Sequence, residues 1–221
     1  MNLTTVLFDM DGLLFDTEKL YYRANQAAAD EMGLPFSWDY FLQFVGSSEY
    51  ALYESLIEKF GDEKTARRFI LRSEQFALEY MMNEPIPKKK GVEELLSFLK
   101  EKEVKMVVGS NSQRKVIELM LQRSNLSSYF LEYVGVDEVP SGKPSPHIYM
   151  KALEKAEGIP SKSLVLDDSS NGVRAAHLAG IPAFLVPDLE EPTVEVEKIV
   201  KGIYPNLLEV KRRIKEQFFN E

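Results

Sequence analysis

Short runs of β-branched and apolar residues alternate with longer helical segments along most of the chain, and this alternation constrains the fold most strongly. Five runs have the length and composition of buried strands: 4–8, 104–108, 131–134, 164–166 and 183–186. Most intervening segments carry apolar residues at helical spacing, as at Val92, Leu95 and Leu99. Strand, helix and strand in succession imply parallel pairing through right-handed crossovers. The sequence therefore predicts an α/β fold with a doubly wound parallel sheet.

One segment, from about residue 17 to residue 88, shows helical periodicity and no convincing strand. Its helical runs are 20–32, 38–44, 51–60 and 65–82. It separates the first two strands too widely for a simple crossover. We therefore predict a core of residues 1–16 and 89–221, with an all-α insert at 17–88. An insert that leaves the carboxyl end of the first strand is expected to form a cap over the crevice where open α/β sheets bind ligands.

Charge and composition exclude several classes of protein. The 221 residues include 27 Lys and Arg against 35 Asp and Glu, a formal net charge of -8, which argues against nucleic-acid binding. The absence of cysteine excludes disulfides, thiolate metal sites and cysteine nucleophiles. No apolar run approaches the roughly 20 residues of a membrane span, and no signal peptide is recognisable at the start. We expect a soluble, cytoplasmic protein without nucleic-acid or membrane partners, and a monomer by default.

The strongest chemical signal is a hydrophobic strand that runs directly into Asp9, Met10, Asp11 and Gly12. Side chains two residues apart in an extended chain point the same way, so both carboxylates face one spot at the edge of the sheet. Like charges so close repel unless a cation or a proton separates them. Gly12 lets a ligand approach the backbone closely. For this motif alone, a solvated turn is the alternative.

The second strand ends in a polar segment with Ser110, Asn111 and Ser112. It leads into a helix whose free N-terminal amides and dipole favour an anion such as phosphate. A simple N-cap by Ser112 is the alternative for this segment.

Two more segments place charged groups beside strand ends. Lys143 stands in a loop before a helix predicted to start near Ser145, and Asp167 and Asp168 end another strand. Taken alone, the lysine could be an exposed surface charge and the acids a polar turn that caps the next helix. In a parallel sheet, however, the strand ends and the loops beside them meet at one edge.

The combined charge of these segments indicates what they bind. Four carboxylates and a phosphate dianion would carry about -6, which one divalent cation, one lysine and a proton on Asp11 largely offset. The set is therefore typical of a site for a cation and a phosphoryl group. Mg²⁺ suits carboxylates, phosphate oxygen and water as ligands. Zinc is not expected, because there is no cysteine and both histidines lie on predicted helices.

The order and spacing of these motifs resemble the haloacid dehalogenase superfamily. The likeness is closest to its β-phosphoglucomutase-like and phosphoglycolate-phosphatase-like members with an α-helical cap, and it covers essentially the whole chain. The resemblance implies a Rossmann-like core. The residues that carry it are Asp9, Asp11, Gly12, Ser110, Lys143, Asp167 and Asp168.

The resemblance also implies roles for the four acids. Asp9 would be the nucleophile that forms an aspartyl-phosphate, and Asp11 would protonate the leaving group and then deprotonate water. Mg²⁺ would bind Asp9, the backbone carbonyl of Asp11 and Asp168. Asp167 stands where the family usually has the longer Glu, and would be a further ligand or an outer one.

Phosphate oxygens would be held, by the same resemblance, by Ser110, the Asn111 amide and Lys143. A loop of the insert, Gly46, Ser47 and Ser48, would contact the substrate. A helix-capping turn is the alternative for that loop.

Whether the enzyme is a phosphatase or a mutase depends on two cap positions. Hexose-phosphate mutases of the family have His and Arg where this chain has Tyr21 and Glu49. A mutase must hold a second phosphate and keep water away from the phospho-enzyme, and an acid in place of Arg works against that. The sequence therefore favours a phosphatase acting on a small phosphorylated metabolite such as a sugar phosphate, with a hexose-phosphate mutase as the alternative.

Two other classes of protein are compatible with part of the pattern. Response-regulator receivers also combine Mg²⁺, a phospho-accepting Asp, a hydroxyl and a Lys on a parallel sheet, but they are about half as long and have no helical insert. A non-catalytic homologue that binds a partner is the second alternative. Catalytic release of phosphate would distinguish the enzyme from both.

Overall fold

The chain divides into two units, with boundaries between Asp16 and Thr17 and between Ile86 and Pro87. The computed structural model describes residues 3–43, 49–189 and 191–219. Next to the boundaries, the outgoing and returning segments pair with each other. The Asp16 N–H donates to the Pro87 carbonyl at 2.9 Å, and the Lys89 N–H donates to the Leu14 carbonyl at 3.0 Å.

The unit formed by residues 17–86 contains four helices in its described part. They are α1 (Glu18–Met32), α2 (Trp38–Leu42), α3 (Glu49–Phe60) and α4 (Glu63–Asn83). Local chemistry fixes their ends. Gly33 ends α1 in the left-handed conformation, and the Asp62 carboxylate accepts the Thr65 N–H at 2.8 Å to cap α4. A small core joins α1, α3 and α4 through Ala28, Leu56 and Phe69.

The other unit contains a six-stranded parallel sheet in its described part, in the order β3-β2-β1-β4-β5-β6. The strands are β1 (Thr5–Phe8), β2 (Lys105–Gly109), β3 (Glu132–Val134), β4 (Ser163–Asp167), β5 (Ala183–Leu185) and β6 (Gly202–Ile203). The predicted fold class is confirmed. The sequence missed β6, because two residues are too few to show a strand pattern.

Six α-helices accompany this sheet in the described part of the chain. They are α5 (Val92–Glu101), α6 (Arg114–Arg123), α7 (His147–Lys155), α8 (Ser170–Leu178), α9 (Val194–Ile199) and α10 (Leu207–Ile214). Helices α7 and α8 pack on the sheet through a core that includes Leu7, Val107 and Val165 from the three central strands. No helix described in either unit has the length and apolar character needed to cross a membrane.

The register of the central strands sets the level of the polar residues that follow them. Phe8 of β1 lies opposite Val108 of β2 on one side and Leu166 of β4 on the other. The next residue of each strand is therefore level with the other two. This places Asp9 between Gly109 and Asp167 at the carboxyl edge of the sheet.

Candidate active site

Three carboxylates meet at this edge. Oxygen atoms of Asp9, Asp167 and Asp168 lie within 4.8 Å of one another. Asp9 is 7% exposed and Asp167 is fully buried. Buried carboxylates at this spacing need positive charge or protons, because isolated buried charge is costly.

Lys143 supplies part of that charge. Its Nζ donates to Asp9 Oδ1 at 2.5 Å and to Asp167 Oδ2 at 2.9 Å. It is 5% exposed, so it is not the exposed surface lysine that the sequence left open. Burial by itself would lower the pKa of Lys143, but the charges of Asp167 and Asp9 outweigh burial and raise it. The lysine therefore stays protonated and bridges two acids from adjacent strands.

Asn111 fixes the backbone of the lysine loop. The Lys143 N–H donates to Asn111 Oδ1 at 2.8 Å, and Asn111 Nδ2 donates to the Lys143 carbonyl at 3.3 Å. A Cβ on Gly142 would lie 2.5 Å from Asn111 Oδ1, so the close approach of the two loops requires glycine there. The side chain of Asn111 thus connects the end of β2 to Lys143, a contact that the sequence did not predict.

Ser110 and Ser112 form a second link across the edge. The Ser110 side chain is buried, and its Oγ accepts the Ser112 N–H at 3.0 Å. The Ser112 hydroxyl donates to Asp11 Oδ2 at 2.8 Å. The N-cap position of α6 is Gln113, so the alternative in which Ser112 caps the helix is wrong. Its hydroxyl is used by Asp11 instead.

Gly12 lets another group approach the backbone closely, and in the structure that group is a carboxylate of the protein itself. Its φ of +79° lies in the region that favours glycine, and a Cβ there would lie 2.2 Å from Asp168 Oδ2. The Asp168 carboxylate therefore lies directly against the turn that follows Asp11.

Two contacts of Asp167 were missed by the sequence analysis. The buried Tyr149 hydroxyl of α7 donates to Asp167 Oδ2, and the Ser169 hydroxyl donates to Asp167 Oδ1 at 2.8 Å. Tyr149 lies among the apolar residues of α7, where the sequence pattern cannot separate it from an ordinary core residue. Residues Gly46, Ser47 and Ser48, predicted to contact substrate, lie outside the described residues.

The electrostatics of the site fit a hard divalent cation. Burial, with the charges of Asp167 and Asp11, raises the pKa of Asp9 to about 8 even though Lys143 opposes the shift. Burial beside Asp9 and Asp167 also holds the pKa of Asp168 well above its usual range. The atoms that the three acids offer as metal ligands are carboxylate oxygens, which Mg²⁺ prefers. Asp9 and Asp168 could therefore hold Mg²⁺, together with the Asp11 carbonyl that the resemblance implies.

The raised pKa of Asp9 predicts how the stability of the metal-free protein depends on pH. Asp9 keeps its proton to about pH 8 when folded but loses it near its ordinary pKa of 3.8 when unfolded. The free energy of unfolding should therefore fall as pH rises through this interval, because the folded state binds the extra proton. Urea unfolding in chelator from pH 6 to 8 avoids the titration of ordinary carboxylates.

The matched control for this measurement is Asp9→Asn, which cannot ionise at that position. The variant should gain stability relative to the natural protein as pH rises, and added Mg²⁺ should reduce the difference. Parallel stability curves for the two proteins would contradict the assignment.

The fold and the site together define an α/β enzyme that places buried carboxylates and a lysine at the carboxyl edge of a parallel sheet. The family model described as haloacid dehalogenase-like hydrolase matches residues 6–186. The chain therefore belongs to this family, and the resemblance drawn from its motifs is confirmed.

Named relatives agree with this membership. The chain is 36% identical over 177 residues to a phosphorylated carbohydrates phosphatase of Thermotoga maritima, covering 80% of this chain and 81% of the relative. It is 29% identical over 196 residues to (DL)-glycerol-3-phosphatase 2 of Arabidopsis thaliana, covering 85% and 80%. The predicted enzyme class, a phosphatase of this family, is confirmed at that level.

A solved structure extends the likeness of fold to the whole chain. β-Phosphoglucomutase from Clostridium difficile superposes with a TM-score of 0.76 at 20% identity, covering 100% of this chain and 98% of that one. At this identity the likeness concerns the fold alone.

Proposed function

We propose that this protein is a Mg²⁺-dependent phosphatase that hydrolyses a small phosphorylated metabolite, such as a sugar phosphate, through an aspartyl-phosphate on Asp9. The observation that carries the proposal is the buried Asp9 carboxylate, held by Lys143 at 2.5 Å beside Asp168. The similarity to a relative named for phosphorylated carbohydrates supports the class of substrate.

In the proposed first step, a carboxylate oxygen of Asp9 attacks phosphorus as the bond to the substrate oxygen breaks. Asp11 gives its proton to the leaving alkoxide. The Ser112 hydroxyl, 2.8 Å from Asp11 Oδ2, orients that carboxyl group. Bound Mg²⁺ would supply positive charge that offsets the charge of the phosphoryl oxygens and of the acids.

In the second step, Asp11 takes a proton from water, and the water oxygen attacks phosphorus. The bond between phosphorus and the Asp9 oxygen breaks, which releases inorganic phosphate and restores the carboxylate. Phosphate oxygens would be bound during both steps by Ser110 Oγ, the main-chain amide of Asn111 and the Lys143 ammonium. Lys143 is already fixed for this role, because Asn111 holds its backbone.

Asp11→Asn tests the separation of proton transfer from metal binding. Turnover should fall by about 10²–10⁴-fold, the usual contribution of a general acid or base. Mg²⁺ affinity should change little, because the proposed ligand at this position is the main-chain carbonyl. Calorimetric titration with Mg²⁺ measures this, with Asp168→Asn as the comparison. An equal loss of Mg²⁺ affinity in both variants would contradict the assignment.

The decisive experiment is phosphate release, with and without Mg²⁺, across a panel of phosphorylated metabolites. Mg²⁺-dependent release from sugar phosphates or related monoesters would support the phosphatase and identify its substrate class. Release from none of them, together with isomer interconversion primed by a sugar bisphosphate, would support a mutase instead. Tyr21 and Glu49, in place of the His and Arg of mutases, favour the phosphatase. No turnover of either kind would favour a signalling or binding protein.

A further inference from the structure

Asp167 differs from its neighbours in the site because both of its oxygens already accept hydrogen bonds from the protein. Oδ2 accepts from Lys143 Nζ at 2.9 Å and from the Tyr149 hydroxyl. Oδ1 accepts from the Ser169 N–H at 2.9 Å and from the Ser169 hydroxyl at 2.8 Å. A carboxylate has about four acceptor positions, so these four donors occupy its capacity.

Packing also fixes the position of this side chain. Asp167 is fully buried, and a Cβ on Gly172 of α8 would lie 1.8 Å from Asp167 Oδ2. The carboxylate therefore lies directly on the helix backbone. A shift of Asp167 towards a metal would break these hydrogen bonds.

Asp168 lies in a different direction. Its Oδ2 lies against Gly12, in the turn that follows Asp11. Asp168 is thus directed towards the turn with the two other proposed metal ligands, whereas Asp167 is directed towards Lys143, α7 and α8.

We propose that Tyr149 is a positioning residue that, together with Ser169, orients the Asp167 carboxylate so that it binds Lys143. Asp167 is then not a ligand of the metal. The inference rests on the proposed function, since it concerns the phosphate-binding lysine and the Mg²⁺ site of that reaction. It also assigns a role to Asp167, which stands where the family usually has Glu.

Tyr149 acts on Lys143 in two ways. Its hydroxyl holds the Asp167 oxygen that Lys143 contacts, and the Lys143 Nζ lies 4.6 Å from the centroid of its ring, within cation–π range. Removal of the hydroxyl leaves Lys143 as the sole donor to Oδ2 among these contacts. Lys143 is then drawn towards Asp167 and away from Asp9, where the phosphoryl group is expected to bind.

The first test compares Mg²⁺ binding to Asp167→Asn and Asp168→Asn by calorimetry, without substrate. Asp167→Asn is expected to weaken Mg²⁺ binding by less than about tenfold, because it removes a nearby charge but no ligand, and Asp168→Asn to weaken it clearly more. Equal weakening in the two folded variants would overturn the proposal. Lack of any Mg²⁺ binding by the natural protein would instead count against the proposed function.

The second test uses Tyr149→Phe, which keeps the ring and its packing. Its affinity for inorganic phosphate in the presence of Mg²⁺ and its kcat should each fall about tenfold, with the Mg²⁺ dissociation constant unchanged. Tyr204→Phe, which removes a hydroxyl beside Gly202 of the edge strand β6, is the matched control and should change none of the three. A variant with lower thermal stability but unchanged phosphate affinity and kcat would show a merely structural tyrosine. That result, or weakened Mg²⁺ binding, would overturn the proposal.

Discussion

Asp9→Asn should reduce phosphate release by about 10⁴-fold or more, because the neutral amide cannot act as the attacking nucleophile. The fold should persist, since the Asn carbonyl can still accept the hydrogen bond from Lys143 Nζ. The stability of the metal-free variant should equal or exceed that of the natural protein, because the variant carries no buried charge at this position. Phosphate release and thermal unfolding measure the two effects separately.

The control for this prediction is Asp39→Asn, which makes the same chemical change at an exposed carboxylate in α2. Its turnover should match that of the natural protein. Intact mass should be checked before the assay, so that residual activity is not caused by hydrolysis of the introduced amide back to Asp. Release at a near-natural rate by the intact Asp9→Asn variant would rule out the aspartyl-phosphate mechanism.

Lys143→Met should have the largest effect on stability. The substitution keeps a side chain of similar length but leaves Asp9 and Asp167 buried without their shared cation. Removing one member of a buried ion pair typically costs about 3–5 kcal/mol. Turnover should also fall about 10³-fold, because a phosphate-binding cation is lost.

Urea unfolding at pH 8, with chelator and with Mg²⁺, measures the contribution of the lysine. Mg²⁺ should recover part of the lost stability, since it supplies charge to the same acids. Lys115→Met, on the exposed side of α6, is the matched control and should lie within about 0.5 kcal/mol of the natural protein. A loss below about 1 kcal/mol for Lys143→Met at pH 8 in chelator would contradict the role assigned to the buried lysine.

Much of the sheet, and the meeting of acids at its edge, could be predicted, because the signals are local. Acids at the carboxyl end of a strand, such as Asp9 and Asp167, can be located from strand pattern alone. A parallel sheet then brings strand ends together whatever their separation in the sequence. The same reasoning located Lys143 near the edge, although only the structure shows that it is buried between two acids.

The parts that could not be predicted depend on the direction of single side chains across packed elements. Tyr149 has the apolar helical spacing of a core residue, and only the packing of α7 on the sheet brings its hydroxyl to Asp167. Ser112 likewise follows the pattern of an N-cap, but its rotamer is directed to Asp11. Tertiary contacts determine these side-chain directions, and a single sequence carries no periodic signal for them.

The paired crossing segments have a consequence for how such enzymes can be altered. The chain leaves β1 in one segment and returns before α5 in another. The Asp16–Pro87 and Lys89–Leu14 backbone hydrogen bonds hold these two segments together. The two attachment points of the intervening helices are therefore adjacent, which is the arrangement in which domain insertion is best tolerated. A foreign module with closely spaced ends could be grafted there without disturbing Asp9 or Lys143. The helices between the two attachment points and the acids and lysine at the edge of the sheet are thus separable parts of this molecule, and each can change while the other is kept.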